Sequence, residues 1–100
     1  MPVFVLMTRL APESLHDARG RKAIGREWLQ KVKVACPEVK WLAHYALLGP
    51  YDYMDIYEAP DLPTAHKVSM ISRSEGAVSA ESWQAMEYDE FLTLLEQVEP

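Results

Sequence analysis

Leu47-Leu48-Gly49-Pro50-Tyr51-Asp52-Tyr53-Met54-Asp55-Ile56-Tyr57 stands at the middle of a 100-residue chain and governs how the rest is read. An apolar run leads into Gly49-Pro50, a pair that interrupts any regular element, and a second strand-favouring run leaves it. Two such runs on either side of turn chemistry mark a hairpin. The strands it joins are predicted at Val39 to Leu48 and Tyr53 to Ala59. Side chains alternate along a strand. In the second strand that alternation is expected to send Met54 and Ile56 toward the helices, and Tyr53, Asp55 and Tyr57 to the opposite face.

Upstream, Val3 to Arg9 reads as another strand, with Val3, Val5 and Met7 on one face and Phe4 and Leu6 on the other. A strand apolar on both faces is normally covered on both sides. The helices of so short a chain cover one side, so a second subunit is expected on the other. Ala11-Pro12-Glu13-Ser14 opens a helix predicted over about Glu13 to Ala35, with Pro and an acidic residue suited to its first turn. Leu15, Ala18, Gly25, Leu29, Val32 and Cys36 form its apolar stripe, which Ile24, Trp28 and Ala35 widen. Gly20 and Gly25 each cost about 1 kcal/mol relative to alanine in a helix interior, and Gly20 is a point where the helix can bend. Cys36-Pro37 ends it.

Downstream, Asp61 is a good N-cap for a helix running to about Ser74. Its small residues Ala65, Ser69 and Ser72 would allow close approach to a sheet. Val78 to Met86 is the fourth strand. A final helix from Tyr88 to Val98 places Phe91, Leu94, Leu95 and Val98 on one stripe. The order βαββαβ with an added C-terminal helix specifies an α+β chain of the ferredoxin-like arrangement. That arrangement is a four-stranded antiparallel sheet in the order 4-1-3-2 with two helices on one face. Residues 1–100 are read as one such domain. The uncovered face would carry Tyr53, Tyr57 and Trp83, more aromatic surface than a monomer exposes. Two sheets are therefore expected to pair face to face as a dimeric α+β barrel.

Composition narrows the functional classes. A hydrophobic share of 49% with 25% charged residues is that of a globular chain. Fifteen acidic against ten basic residues give a net charge of −5, the wrong sign for a nucleic-acid binder. The basic residues gather between Arg19 and Lys33 at helical spacing, as on a solvated helix face. The one cysteine, Cys36, permits neither an intrachain disulfide nor a zinc-holding cluster. No two histidines stand at ligand spacing, and Gly20 to Gly25 is not followed by the residues of a phosphate-binding loop. No metal and no cofactor are expected. No run approaches the roughly 20 apolar residues of a membrane span, and the apolar start of the chain has no basic leader. A cytoplasmic protein without membrane contact is expected.

Candidate site residues cluster around the hairpin. Asp55, between two tyrosines on a face that a second subunit would desolvate, is placed to gain a raised pKa and act as a general base. Its structural alternative is an edge charge that deters aggregation. Asp52 either accepts backbone N–H groups in the turn or offers a carboxylate at a pocket mouth, and Gly49 is expected to take an unusual backbone angle. His44 is a packed or edge histidine, or else a catalyst or haem ligand; in an enzyme with Asp55 or Asp52 as base it would position the substrate. Asp55, Asp52 and His44 are the catalytic candidates. Arg9, a possible carboxylate clamp at the end of the first strand, joins Tyr45, Tyr51, Tyr53, Tyr57 and Trp83 as ligand-binding candidates.

Several of these stretches carry a family resemblance. Val5-Leu6-Met7-Thr8-Arg9 with Ala11-Pro12-Glu13, then Tyr45-Ala46-Leu47-Leu48-Gly49-Pro50-Tyr51-Asp52, then Glu58-Ala59-Pro60-Asp61, resemble the GYD-domain family. Gly76-Ala77-Val78 and Trp83-Gln84-Ala85 extend the likeness over nearly the whole chain. The chain departs from that pattern in the Pro-Tyr inside the motif, the basic first helix and a fourth strand without a threonine-rich run. The resemblance implies a ferredoxin-like, dimeric fold and no settled activity. Three readings follow. The first is a homo-oligomeric small-molecule-binding or regulatory module with an apolar or aromatic ligand in a cleft on the sheet face. The second is a cofactor-independent monooxygenase, isomerase or decarboxylase, and the third a purely structural association module.

Overall fold

A computed structural model of the chain describes residues 1–12 and 18–99. The elements are β1 (Val3–Leu10), α1 (Ala18–Ala35), β2 (Lys40–Ala46), β3 (Tyr53–Glu58), α2 (Leu62–Ser74), β4 (Ala77–Ala85) and α3 (Tyr88–Val98). The strands form one sheet in the order β2-β3-β1-β4, with antiparallel pairing throughout. This is the ferredoxin-like α+β arrangement that the order of elements predicts. Residues 13–17, including the expected first turn of α1 and Leu15 of its stripe, lie outside the described residues. From Ala18 onward α1 passes through Gly20 and Gly25 without a break.

Local chemistry explains the boundaries. Asp61 caps α2 by accepting from the Thr64 backbone N–H at 2.9 Å and from the Thr64 hydroxyl at 2.6 Å. Those bonds hold the Asp61 carboxyl below its usual pKa. At the other end the Glu75 N–H returns to Ile71 and Ser72 carbonyls, and Gly76 leaves with φ 106°, a left-handed conformation that glycine adopts without strain. Gly49 shows no such angle, so the unusual backbone belongs to Gly76 and not to the hairpin.

The core lies between α1, α2 and one face of the sheet. Phe4, Leu6, Tyr57 and Ala80 meet Val32, Cys36, Ala65 and Val68, all buried. The expected small-residue stripe of α2 is used for this approach: Ala65 and Ser72 are buried, and the Ser69 hydroxyl bonds Ser82 at 2.8 Å. The Trp28 indole N–H donates to Ser72 Oγ at 2.7 Å, which in turn donates to the Val68 carbonyl at 3.0 Å, pinning α1 to α2.

The faces of β3 are the reverse of those expected. Phe4 pairs with Tyr57, Leu6 with Asp55 and Thr8 with Tyr53, so the tyrosines and Asp55 share the helix side with the core residues of β1. Tyr57 is fully buried, its ring stacked 5.5 Å from Phe4 and its hydroxyl 2.8 Å from Ser82 Oγ. Met54 and Ile56 lie on the uncovered face, with Val5, Met7 and Trp83. Burial drives the choice: a tyrosine body hides more apolar surface than methionine or isoleucine, and Ser82 supplies the hydroxyl's partner. Nothing in α3 is buried, and Phe91, Leu94 and Val98 of its stripe stand exposed, Val98 at 82%.

Candidate functional site

Each face of the sheet gathers a different set of the expected residues. On the helix side, α1 stands off the β1-β3-β2 surface and leaves a cavity of about 650 Å³. Trp28 and Trp41 form an aromatic wall, their rings 5.0 Å apart and tilted by 54°. Ile24, Leu29, Leu10 and Leu42 add apolar lining. Gly25 also lines it, and a Cβ placed there would meet nothing within 4 Å.

A cross-strand pair supplies part of the cavity's polar lining, beside Thr8, Ser72 and Glu75. β2 and β3 set His44 directly opposite Asp55, and His44 Nδ1 is bonded to Asp55 Oδ1. The Tyr53 ring stacks on the imidazole at 5.6 Å and 22°. A carboxylate on one nitrogen and a ring on one face fix the imidazole's orientation, and Nε2 remains the nitrogen for exchange with solvent or ligand. Asp55 is 4% exposed. Its burial pushes the carboxyl pKa up, and His44 offsets only part of that shift.

The raised pKa has a stability consequence. The folded state holds the Asp55 proton more tightly than the unfolded chain does, so this group's contribution to stability falls as pH rises through its folded pKa. Asp55→Asn removes the charge and keeps the shape. It is expected to raise the melting temperature at neutral pH, with the gain vanishing in acid, where Asp55 is protonated in both states. Thermal unfolding followed from acid to neutral pH checks this. A loss of stability at neutral pH would show that the ionised pair with His44 is a net support of the fold.

Asp52 is a bracket for the hairpin. Its N–H donates to the Thr8 carbonyl at 2.8 Å, and its Oδ2 accepts the Leu10 N–H at 2.7 Å. Its carbonyl accepts the Leu47 N–H at 2.9 Å, and Arg9 Nε donates to the Pro50 carbonyl at 2.9 Å. The turn is thereby tied to the end of β1: the carboxylate accepts from Leu10 in that strand and not from an N–H of the turn.

The uncovered face holds the second set. Arg9 lies over the Tyr51 ring at 5.9 Å, the Tyr51 hydroxyl donates to Glu81 at 2.9 Å, and the Trp83 N–H reaches Glu81 at 3.3 Å. Tyr51 and Trp83 meet edge to face at 6.2 Å. Bonding to Glu81 raises the Tyr51 pKa. Tyr45, paired with Met54, occupies the edge of this face and is 54% exposed. Of the expected ligand residues, then, Arg9, Tyr51 and Trp83 assemble here with Tyr45 nearby. Tyr53 joins His44 and Asp55 on the other side, and Tyr57 belongs to the core. Trp41 and Gly25 were not expected at a site. The signal for Gly25 was slight, since it stands three residues from Trp28 on one helical stripe; Trp41 had none, because its helix-facing side follows from its pairing with Tyr57.

No group of three or more His, Cys, Asp or Glu side chains is placed to hold a metal among the described residues. None of the described helices is long and apolar enough to cross a membrane.

Sheet order, two helices on one face and an aromatic cavity beneath the first of them define a ferredoxin-like α+β domain. The chain belongs to the GYD domain family, whose pattern matches residues 4–95. It is 31% identical over 86 residues to the "Glutamine synthetase and cystathionine beta-lyase binding protein" of Thermus thermophilus, covering 86% of this chain and 90% of that one. Among solved structures, TTHA0845, also from Thermus thermophilus, is similar with a TM-score of 0.60 at 19% identity, covering 87% of this chain and 95% of that one. A hypothetical protein from Pyrococcus horikoshii is similar with a TM-score of 0.53 at 18% identity, covering 87% and 92%. Identities this low establish the fold alone.

Proposed function

We propose that this chain is a cytoplasmic binding or regulatory module that holds a small apolar or aromatic molecule in the cavity under α1 and associates with copies of itself through the uncovered sheet face. The observation that carries the first half is the cavity of about 650 Å³, lined by Trp28, Trp41 and the buried Asp55 carboxylate. Ligand sites are commonly clefts of roughly 300–1,000 Å³, mostly apolar, with a few convergent polar groups. The reading moves the ligand from the uncovered face, where the strand pattern put it, to the helix side. The Thermus relative's name describes a protein that binds two enzymes, which supports a module whose output is association with another protein. Indole is the simplest probe. Calorimetric titration is expected to show one site per chain, and an absence of heat and of any competition would remove the cavity as a site.

Self-association is supported by the exposure of Tyr45, Trp83 and the Phe91–Leu94–Val98 stripe of α3 on a single chain. Trp83→Glu would place a charge where two sheets meet. Sedimentation equilibrium is expected to show a dimer or larger assembly for the unaltered chain and a monomer for this variant. An unaltered chain that sediments as a monomer at micromolar concentration overturns this half.

A second reading is favoured by the His44–Asp55 pair itself: a cofactor-independent enzyme in which His44 is the base and Asp55 orients it. That exchanges the roles expected from the sequence, where Asp55 was the base and His44 the positioning group.

A further inference from the structure

The charges lining the cavity differ in exposure. Arg21 and Lys22 are exposed, where water and salt screen them. Asp55 is buried, 4% exposed. The other lining carboxylate, Glu75, is paired with Lys31. The aromatic wall adds no donor from Trp28, because its indole N–H is spent on Ser72. What Trp28 offers a ligand is the negative face of its ring system. Asp55 engages His44 through Oδ1, and an ionised carboxylate has further acceptor capacity at Oδ2. Ring faces and a buried carboxylate share one preference: each stabilises a positive charge brought out of water.

We infer that the cavity under α1 is selective for an aromatic amine, its ring held against Trp28 and Trp41 and its protonated nitrogen on Asp55. The inference rests on the cavity being the ligand site and adds the charge of the occupant. The exposed Lys22 side chain lining the cavity opposes a second positive charge on the ligand and tolerates a negative one. Gly25 belongs to the same design. A helix-interior glycine is costly, and here the missing side chain keeps the space beside the aromatic wall open.

Three probes with one ring and different charges test this: tryptamine, indole and indole-3-propionate, titrated calorimetrically into the full chain and into Asp55→Asn. Tryptamine is expected to bind at least about tenfold more tightly than indole, and indole-3-propionate no better than indole. In Asp55→Asn the advantage of tryptamine is expected to disappear while indole still binds. Indole or the anion binding as well as tryptamine would overturn the inference, as would a preference for tryptamine that survives Asp55→Asn. If Asp55→Asn does not fold, the ratio of tryptamine to indole affinity in the unaltered chain decides alone. Indole binding without a preference for the amine overturns only the charge selectivity. Failure of all three probes removes the cavity itself and the inference with it.

Discussion

Tyr57→Ala is expected to destabilise the fold by about 3–5 kcal/mol, the range for truncating a large aromatic side chain in a packed core. A domain of this size is commonly stable by only about 5–15 kcal/mol, so the variant is expected to be partly or wholly unfolded near room temperature. Tyr57 is fully buried, stacks on Phe4, and has the Trp41 ring 5.2 Å away on the edge strand. Truncation opens a void that α1, α2 and the sheet cannot all close. Tyr57→Phe keeps the ring and loses the hydrogen bond to Ser82. It is expected to cost about 1 kcal/mol, because Ser82 retains its bond to Ser69. Urea denaturation of the three proteins separates the two faces of β3. Were Tyr57 on the uncovered face, truncation in a lone chain would change stability by no more than about 0.5 kcal/mol.

Gly25→Leu is expected to do the opposite to stability and to abolish indole binding. The helix gains about 1 kcal/mol from replacing a glycine, and the new Cβ enters space with no atom within 4 Å. The added isobutyl group occupies the volume a ring would use beside Trp28. A higher melting temperature together with a lost titration is a combination that misfolding cannot produce. Gly25→Ala, which takes less volume, is expected to share the gain in stability and to weaken binding only in part. Calorimetric titration and thermal unfolding of both variants check this, and indole binding undiminished in Gly25→Leu would place the ligand elsewhere.

Much of the architecture is legible in the residues. The break at Gly49-Pro50, the cap at Asp61, the stripe of α2 and the stripe of α3 are local features, and local features fix element order. Element order with handed crossovers fixes the sheet. Which face of β3 is covered is another matter. Both of its parities carry large apolar side chains, Tyr53 and Tyr57 on one and Met54 and Ile56 on the other. Alternation therefore divides the strand without saying which half is inside, and a carboxylate on the tyrosine face argued for solvent. The deciding quantity is register: Tyr57 falls opposite Phe4, and a slip of one residue would exchange the faces. Register is a tertiary property that no single strand encodes. A shift in pairing between Trp41 and Ala43 adds to the difficulty, since it breaks the simple alternation of β2.

The candidate site was legible in parts. The strand pattern brings out Asp55 and His44 as residues that need an explanation, and their placement on paired strands makes a contact natural. Arg9, Tyr51 and Trp83 come from three separate segments, yet all fall on one face beside Glu81. The cavity was not legible, because it arises from the distance at which α1 crosses the sheet. Trp28 and Trp41, with ring centroids 5.0 Å apart, stand in the space that this distance leaves.

The three tryptophans offer the most direct test of where the ligand sits. Trp28 and Trp41 line the cavity, and Trp83 lies on the opposite face of the sheet. In a nitrogen-15-labelled sample the three side-chain N–H resonances report on the two faces separately. With saturating unlabelled indole, the Trp28 and Trp41 signals are expected to move while Trp83 stays in place; a shift confined to Trp83 would put the ligand on the uncovered face and contradict the account.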